Sequence, residues 1–247
     1  MDTDSVLILK IVSAALIFIV GAAGAYSAIK VQGSGRSNLL SIGNCIAGGV
    51  FIDAGLIHTL ADSASLYGTL FPDLDFPAWA ATAGLTVVLL LWIDNRLSNS
   101  SASDSASSFA LFIVLSLHSV IAGMALGVEA HPAQSIALLV AILAHKGSAA
   151  FALGLRTSKE KYWLAMFGFA LMTPIGVLLG TAMAETLQGN SSLYFEAVFD
   201  SVAAGTFLYV ALCEILPREM SQSRNSSSLA ASALAGLLLM AVLALYT

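Results

Sequence analysis

Eight apolar runs, each near the roughly 20 residues a helix needs to cross hydrocarbon, succeed one another along the chain. They lie near 6–29, 39–61, 77–95, 109–128, 133–155, 162–185, 194–215 and 228–246. This succession constrains the fold more than any other feature, because a segment in lipid must satisfy its own backbone hydrogen bonds. None of the runs shows the roughly ten-residue alternation of a barrel strand. An all-α membrane protein is therefore expected, with residues 1–247 forming one transmembrane domain, an eight-helix bundle. Only 10% of the 247 residues are charged, against about 25% in soluble domains.

Basic residues give the expected orientation. Lys30 and Arg36 follow the first run, Arg96 the third, Arg156, Lys159 and Lys161 the fifth, and Arg218 and Arg224 the seventh. The even-numbered connections carry none, and Lys10 and Lys146 lie inside runs. The positive-inside rule then places the odd connections in the cytoplasm and both termini outside it. An odd number of missed helices would scramble this alternation. The acidic start, MDTDSVLILK, leads into a run too long for a signal-peptide core, so no cleaved signal is expected. Residues 98–108 are Ser-rich and read as a flexible cytoplasmic tether.

Asp62, Asp73, Asp75 and Glu129 fall in the opposite connections. They make an acidic outer mouth that attracts cations, or simply reflect loops short of Lys and Arg. A net charge of −5 and no basic patch exclude a nucleic-acid partner. Cys45 and Cys213 sit within apolar runs and read as free packing residues. Asn190-Ser191-Ser192 is a formal glycosylation sequon, lying too close to the helices to be relied upon.

The chemistry is concentrated in polar groups inside the runs. His118-Ser119 and His145-Lys146 occupy consecutive spans, and such groups cost several kcal/mol in hydrocarbon unless they face a cavity, a counter-charge or an ion. Imidazole nitrogen and hydroxyl oxygen suit a borderline cation such as Zn²⁺, whereas a protonated Lys is no ligand. His58 and Asp62, four apart, share a helical face and either pass a cation inward or bond each other. Asp53 lies off that face and needs a partner. Lys146 is the expected one, with Asp200 and Glu214 competing for the same ammonium. Gly123 and Gly127 form a small packing face, and Pro174 is expected to kink the sixth span. The seventh holds Glu196, Asp200 and Glu214, of which Asp200 is deepest.

Four stretches, HSVIAGMALG, AHKGSAAFALGLR, CIAGGVFIDAGLIHTLADS and SVAAGTFLYVALCEILPREM, together resemble the Zrt/Irt-like (ZIP) family of divalent-metal transporters. The particular likeness is to its animal subfamily with a His-Lys pair in the fifth helix. Eight helices with both termini outside also resemble the family. The resemblance implies that His118, Ser119 and His145 bind metal midway through the membrane, that His58 and Asp62 line its path with Glu214 farther along, and that Lys146 stands in for a second metal. One metal per protomer is expected. Where the family usually places a carboxylate four residues after these histidines, this chain has Ala122 and Ala149. Another anion must compensate, Asp53 by first choice and Asp200 by second.

The reading that follows is a transporter moving a divalent transition metal, Zn²⁺ foremost, into the cytoplasm. Metal sheds water at His118 and His145 while the helices rock around that site. Protons compete for the imidazoles below about pH 6.5. The metal is cargo, and no resident cofactor or enzymatic activity is expected. The remaining partners are the lipid bilayer, the plasma membrane being the expected location with an organelle membrane as the alternative, and, by resemblance, a second copy in a homodimer. A divergent member preferring Fe²⁺, Mn²⁺ or Cd²⁺, a non-transporting regulatory member, and an intramembrane zinc hydrolase with an activated water are the alternatives.

Overall fold

The computed structural model describes residues 3–33, 37–98, 103–158, 160–184, 190–222 and 226–245. Among these residues, helix is the only regular structure, and eight helices are long and apolar enough to cross a membrane. They are α1 (Thr3–Gly33), α2 (37–70), α3 (Ala78–Ser98), α4 (Ser103–Val128), α5 (Pro132–Arg156), α6 (Tyr162–Met183), α7 (190–222) and α8 (Ser226–Ala244). Pro132 opens α5, where its missing N–H costs nothing. Pro174 is accommodated inside α6.

Helices α2 and α7 depart from the expected pattern. Each continues well past its apolar run, and each contains a π-helical turn, Ala54–Thr59 in α2 and Val210–Ile215 in α7. There the backbone bonds reach back five residues, Leu60 N–H to the Gly55 carbonyl and Leu216 N–H to that of Ala211. The connection expected over 62–76 is consequently helical as far as Leu70. The reason is a polar seam. The buried Ser63 hydroxyl lies 2.8 Å from the Ala197 carbonyl and 2.6 Å from the Ser201 hydroxyl of α7, so this serine-bearing stretch is stitched to a neighbouring helix. Asp62 thus sits on a helix, while Asp73 and Asp75 remain in an exposed connection. The Ser-rich tether is shorter than expected, because α4 begins at Ser103. Residues 99–102 of that tether, Arg36, Lys159 and Arg224, and the expected span ends at 185 and 246 lie outside the described residues.

The closest packing divides the bundle into two groups, α1 with α4, α5 and α6, and α2 with α3, α7 and α8. Within the first group, α4 and α6 meet at reciprocal glycines. A β-carbon on Gly123 or Gly127 would run into the α6 backbone at Thr173 and Val177, and one on Gly176 or Gly180 would run into α4 at Val120 and Met124. Close backbone approach of this kind is how helices associate where water supplies no driving force between them. Lys10 of α1, buried despite its charge, donates to the Gly127 carbonyl at 2.5 Å. That carbonyl belongs to the last turn of α4, where the helix dipole favours a cation. Between the two groups, Arg156 at the end of α5 forms a buried ion pair with Glu214 in the π turn of α7 and also donates to the Glu214 carbonyl. Both cysteines are free.

Candidate functional site

Where α4 and α5 of one group face α2 and α7 of the other, the helices line an open cavity of about 260 Å³. The lining follows helical periodicity, with residues three, four or seven apart falling on one face. His118, Ala122 and Ala125 come from α4, Leu138, Ala141, Ile142 and His145 from α5, and Glu196, Asp200, Ala203 and Phe207 from α7. Helix α2 supplies His58, Asp62 and their neighbours. The π turn in α2 determines that presentation. One extra residue in a turn rotates everything after it by about 100° relative to an unbroken α-helix.

The two imidazoles converge at the inner part of this lining. Their ring centroids are 5.6 Å apart, and Phe207 packs against both, at 3.9 Å from His118 and 4.9 Å from His145. Phe51 stacks behind Phe207 at 5.4 Å. His118 is only 5% exposed. Its Nδ1 lies 3.3 Å from the Thr206 hydroxyl, which in turn donates to the Ala203 carbonyl at 2.6 Å. If the hydroxyl proton goes to that carbonyl, the ring donates from Nδ1, which leaves Nε2 with a lone pair. Nε2 is buried and has no hydrogen-bond partner among the described residues. Metal-binding histidines are commonly held in this way, their second nitrogen donating to a neighbouring oxygen. His58 and Asp62 form a second pair, Nδ1 to Oδ2 at 3.8 Å, with the carboxylate side chain 55% exposed.

Not every expected residue reaches the cavity. Ser119 accepts a bond from Lys146 Nζ at 3.0 Å and is not part of the lining. Lys146 is turned about 100° from its neighbour His145 by helix geometry, and its ammonium also bonds the Phe169 carbonyl at 3.2 Å and lies 3.8 Å from the Phe169 ring. The expected pairing of Lys146 with Asp53 does not form, nor does one with Asp200 or Glu214. Asp53, 1% exposed, has both carboxylate oxygens buried without a partner among the described residues and lies outside the lining. Glu214 is held by Arg156 and by the Tyr209 hydroxyl at 3.3 Å. Of the two candidate compensating anions, only Asp200 faces the histidines' cavity, and Glu196 joins it. Among the described residues, no three His, Cys, Asp or Glu side chains converge as a metal-holding group.

Sequence reasoning gave no role to Thr206 or Phe207, and used Arg156 only as a cytoplasmic charge. The first two were within reach, since SVAAGTFLYV places a hydroxyl and an aromatic ring side by side in a membrane span already carrying Asp200. The partner of Arg156 depends on which helix faces α5, and spacing along one chain does not encode that.

The family model described as "ZIP Zinc transporter" matches residues 94–244. The chain is 40% identical to mouse (Mus musculus) zinc transporter ZIP2 over 144 residues, which cover 56% of this chain and 47% of the mouse protein. It is 30% identical to zebrafish (Danio rerio) zinc transporter ZIP1 over 238 residues, covering 76% and 78% of the two chains. Human (Homo sapiens) zinc transporter ZIP2 is 36% identical over 144 residues, 56% of this chain and 47% of that one. The chain thus spans about half the length of the two ZIP2 proteins it matches. The family match and the eight helices, with α4, α5 and α7 all inside the matched region, lead to one conclusion: this chain belongs to the ZIP family.

Proposed function

We propose that the chain moves a divalent transition metal, with Zn²⁺ as principal cargo, across a membrane into the cytoplasm, and that His118 and His145 are the ligands the metal meets midway. The observation that carries this reading is the His118 Nε2, buried and without a hydrogen-bond partner among the described residues, on a ring whose Nδ1 is engaged by Thr206. Leaving such an atom unsatisfied is costly, and a cation relieves it. His145 faces the same cavity and shares the Phe207 wall. His58 and Asp62 line the approach. Lys146 supplies a fixed charge behind the site and limits it to one metal. The names of the relatives support zinc.

Alternating access follows from the position of the cavity. It lies on the boundary between the α1–α4–α5–α6 group and the α2–α3–α7–α8 group, so relative motion of the groups opens it to either side in turn. Both termini lie outside the cytoplasm, in keeping with the distribution of basic residues.

Radioactive Zn²⁺ uptake tests the proposal, using cells that express the wild type or the His118→Ala/His145→Ala variant at equal surface level. Uptake lost in the variant supports it, and competition by Fe²⁺, Mn²⁺ and Cd²⁺ ranks the cargo. A wild type at the surface that carries none of these metals overturns the transport reading in favour of a regulatory member of the family.

A further inference from the structure

Two neutral imidazoles bring no charge to a dication, yet a doubly charged ion in a low-dielectric cavity needs one. Ala122, one turn on from His118, faces the cavity without a carboxylate. The other acids divide by position. Asp53 lies outside the lining, and Glu214 is matched by Arg156. Asp62 is more than half exposed and already beside His58, so water screens it. Asp200 and Glu196 remain, both half-buried and both in the lining.

These two stand one helical turn apart on α7, in a stripe that continues through Ala203 to Phe207, the ring that touches both imidazoles. Seven residues separate Asp200 from Phe207, roughly 10 Å along the helix axis. That is near enough for charge to act across the cavity and too far for direct ligation of a metal held by both imidazoles. The Ser63–Ser201 bond beside Asp200 fixes α7 against the helix carrying His58 and Asp62. The His118 Nε2 in the same cavity, without a hydrogen-bond partner among the described residues, independently marks the place a cation would occupy.

We propose that Asp200 and Glu196 supply the counter-charge for the dication, drawing it to the imidazoles from a distance and setting the preference of the cavity for double over single charge. This assignment rests on the transport reading above and is tested partly apart from it. Zn²⁺ binding to the purified full-length chain is measured by titration calorimetry, and Zn²⁺ flux is measured in proteoliposomes. Both use the wild type, Asp200→Asn, Glu196→Gln, the double variant and Asp200→Glu.

Binding weaker on the order of tenfold in Asp200→Asn, and weaker still in the double variant, is expected, with recovery in Asp200→Glu. In flux the loss should appear in KM, with maximal rate largely retained, and the wild-type KM should depend more steeply on ionic strength than that of the double variant. Affinity and KM within twofold of wild type in the double variant overturn the assignment. So does a fall in maximal rate alone, which marks a merely structural role. A wild type that binds Zn²⁺ without moving it overturns the transport reading, while the binding arm still decides the role of the two acids.

Discussion

Lys146 carries its ε-amino group into the bundle against the Ser119 hydroxyl, the Phe169 carbonyl and the Phe169 ring. Ser119→Ala removes one of its two hydrogen bonds and should cost about 1–3 kcal/mol of stability, read as a lower unfolding temperature of the purified protein. Lys146→Met made on top of it removes the charge that needed the bond and should restore much of that loss. The Thr206 hydroxyl meets His118 at Nδ1, on the side of the ring away from the buried Nε2. Thr206→Val keeps the shape and discards the bond, and Zn²⁺ affinity measured by calorimetry should fall about 10–100-fold. Both networks depend on neighbours that no spacing rule supplies. The paired histidines, His58 and Asp62 could be singled out from the chain alone, because polar groups in apolar runs stand out. The pairing of Lys146 with Asp53 could not be judged, because it turns on the direction each helix presents to the next.

Among the elements, the eight spans were legible, since hydropathy over 20 residues reports burial in lipid whatever the packing. The extension of α2 to Leu70 was not, because Ser63 and Ser65 look like loop until a partner helix offers Ser201 and the Ala197 carbonyl. The π turns were equally hidden, since a single added residue leaves composition and length unchanged. Their effect is testable. Deleting lipid-facing Leu56 should turn the π turn of α2 into ordinary helix and rotate His58 and Asp62 relative to Asp53 by about 100°. Zn²⁺ uptake should drop to background at unchanged surface biotinylation. The glycine seam of α4 and α6 should be far less forgiving. Gly176→Leu meets backbone at once and should abolish a monodisperse peak in size-exclusion chromatography, whereas Gly84→Ala, with open space around it, should leave that peak intact.

At the scale of the whole molecule, the division into two groups of four helices places the histidines of α4 and α5 on one body and His58, Asp200 and Glu196 on the other. Orientation belongs to this scale too. Epitope tags at either end should be reached by antibody on intact cells, and a tag within 98–108 only after permeabilisation, as fluorescence microscopy would record. The charge asymmetry behind this expectation was legible because each connection votes separately. The seam between the groups was not, because it is a property of contacts between distant runs. A cavity of about 260 Å³ also has room for on the order of nine waters at the roughly 30 Å³ each takes in the liquid. On the proposed function, an incoming dication would arrive still wearing its hydration shell and surrender water only on reaching the imidazoles over Phe207. Discrimination would then fall at dehydration, so Mg²⁺, which gives up its waters reluctantly, could enter the vestibule freely and still be turned back at its floor.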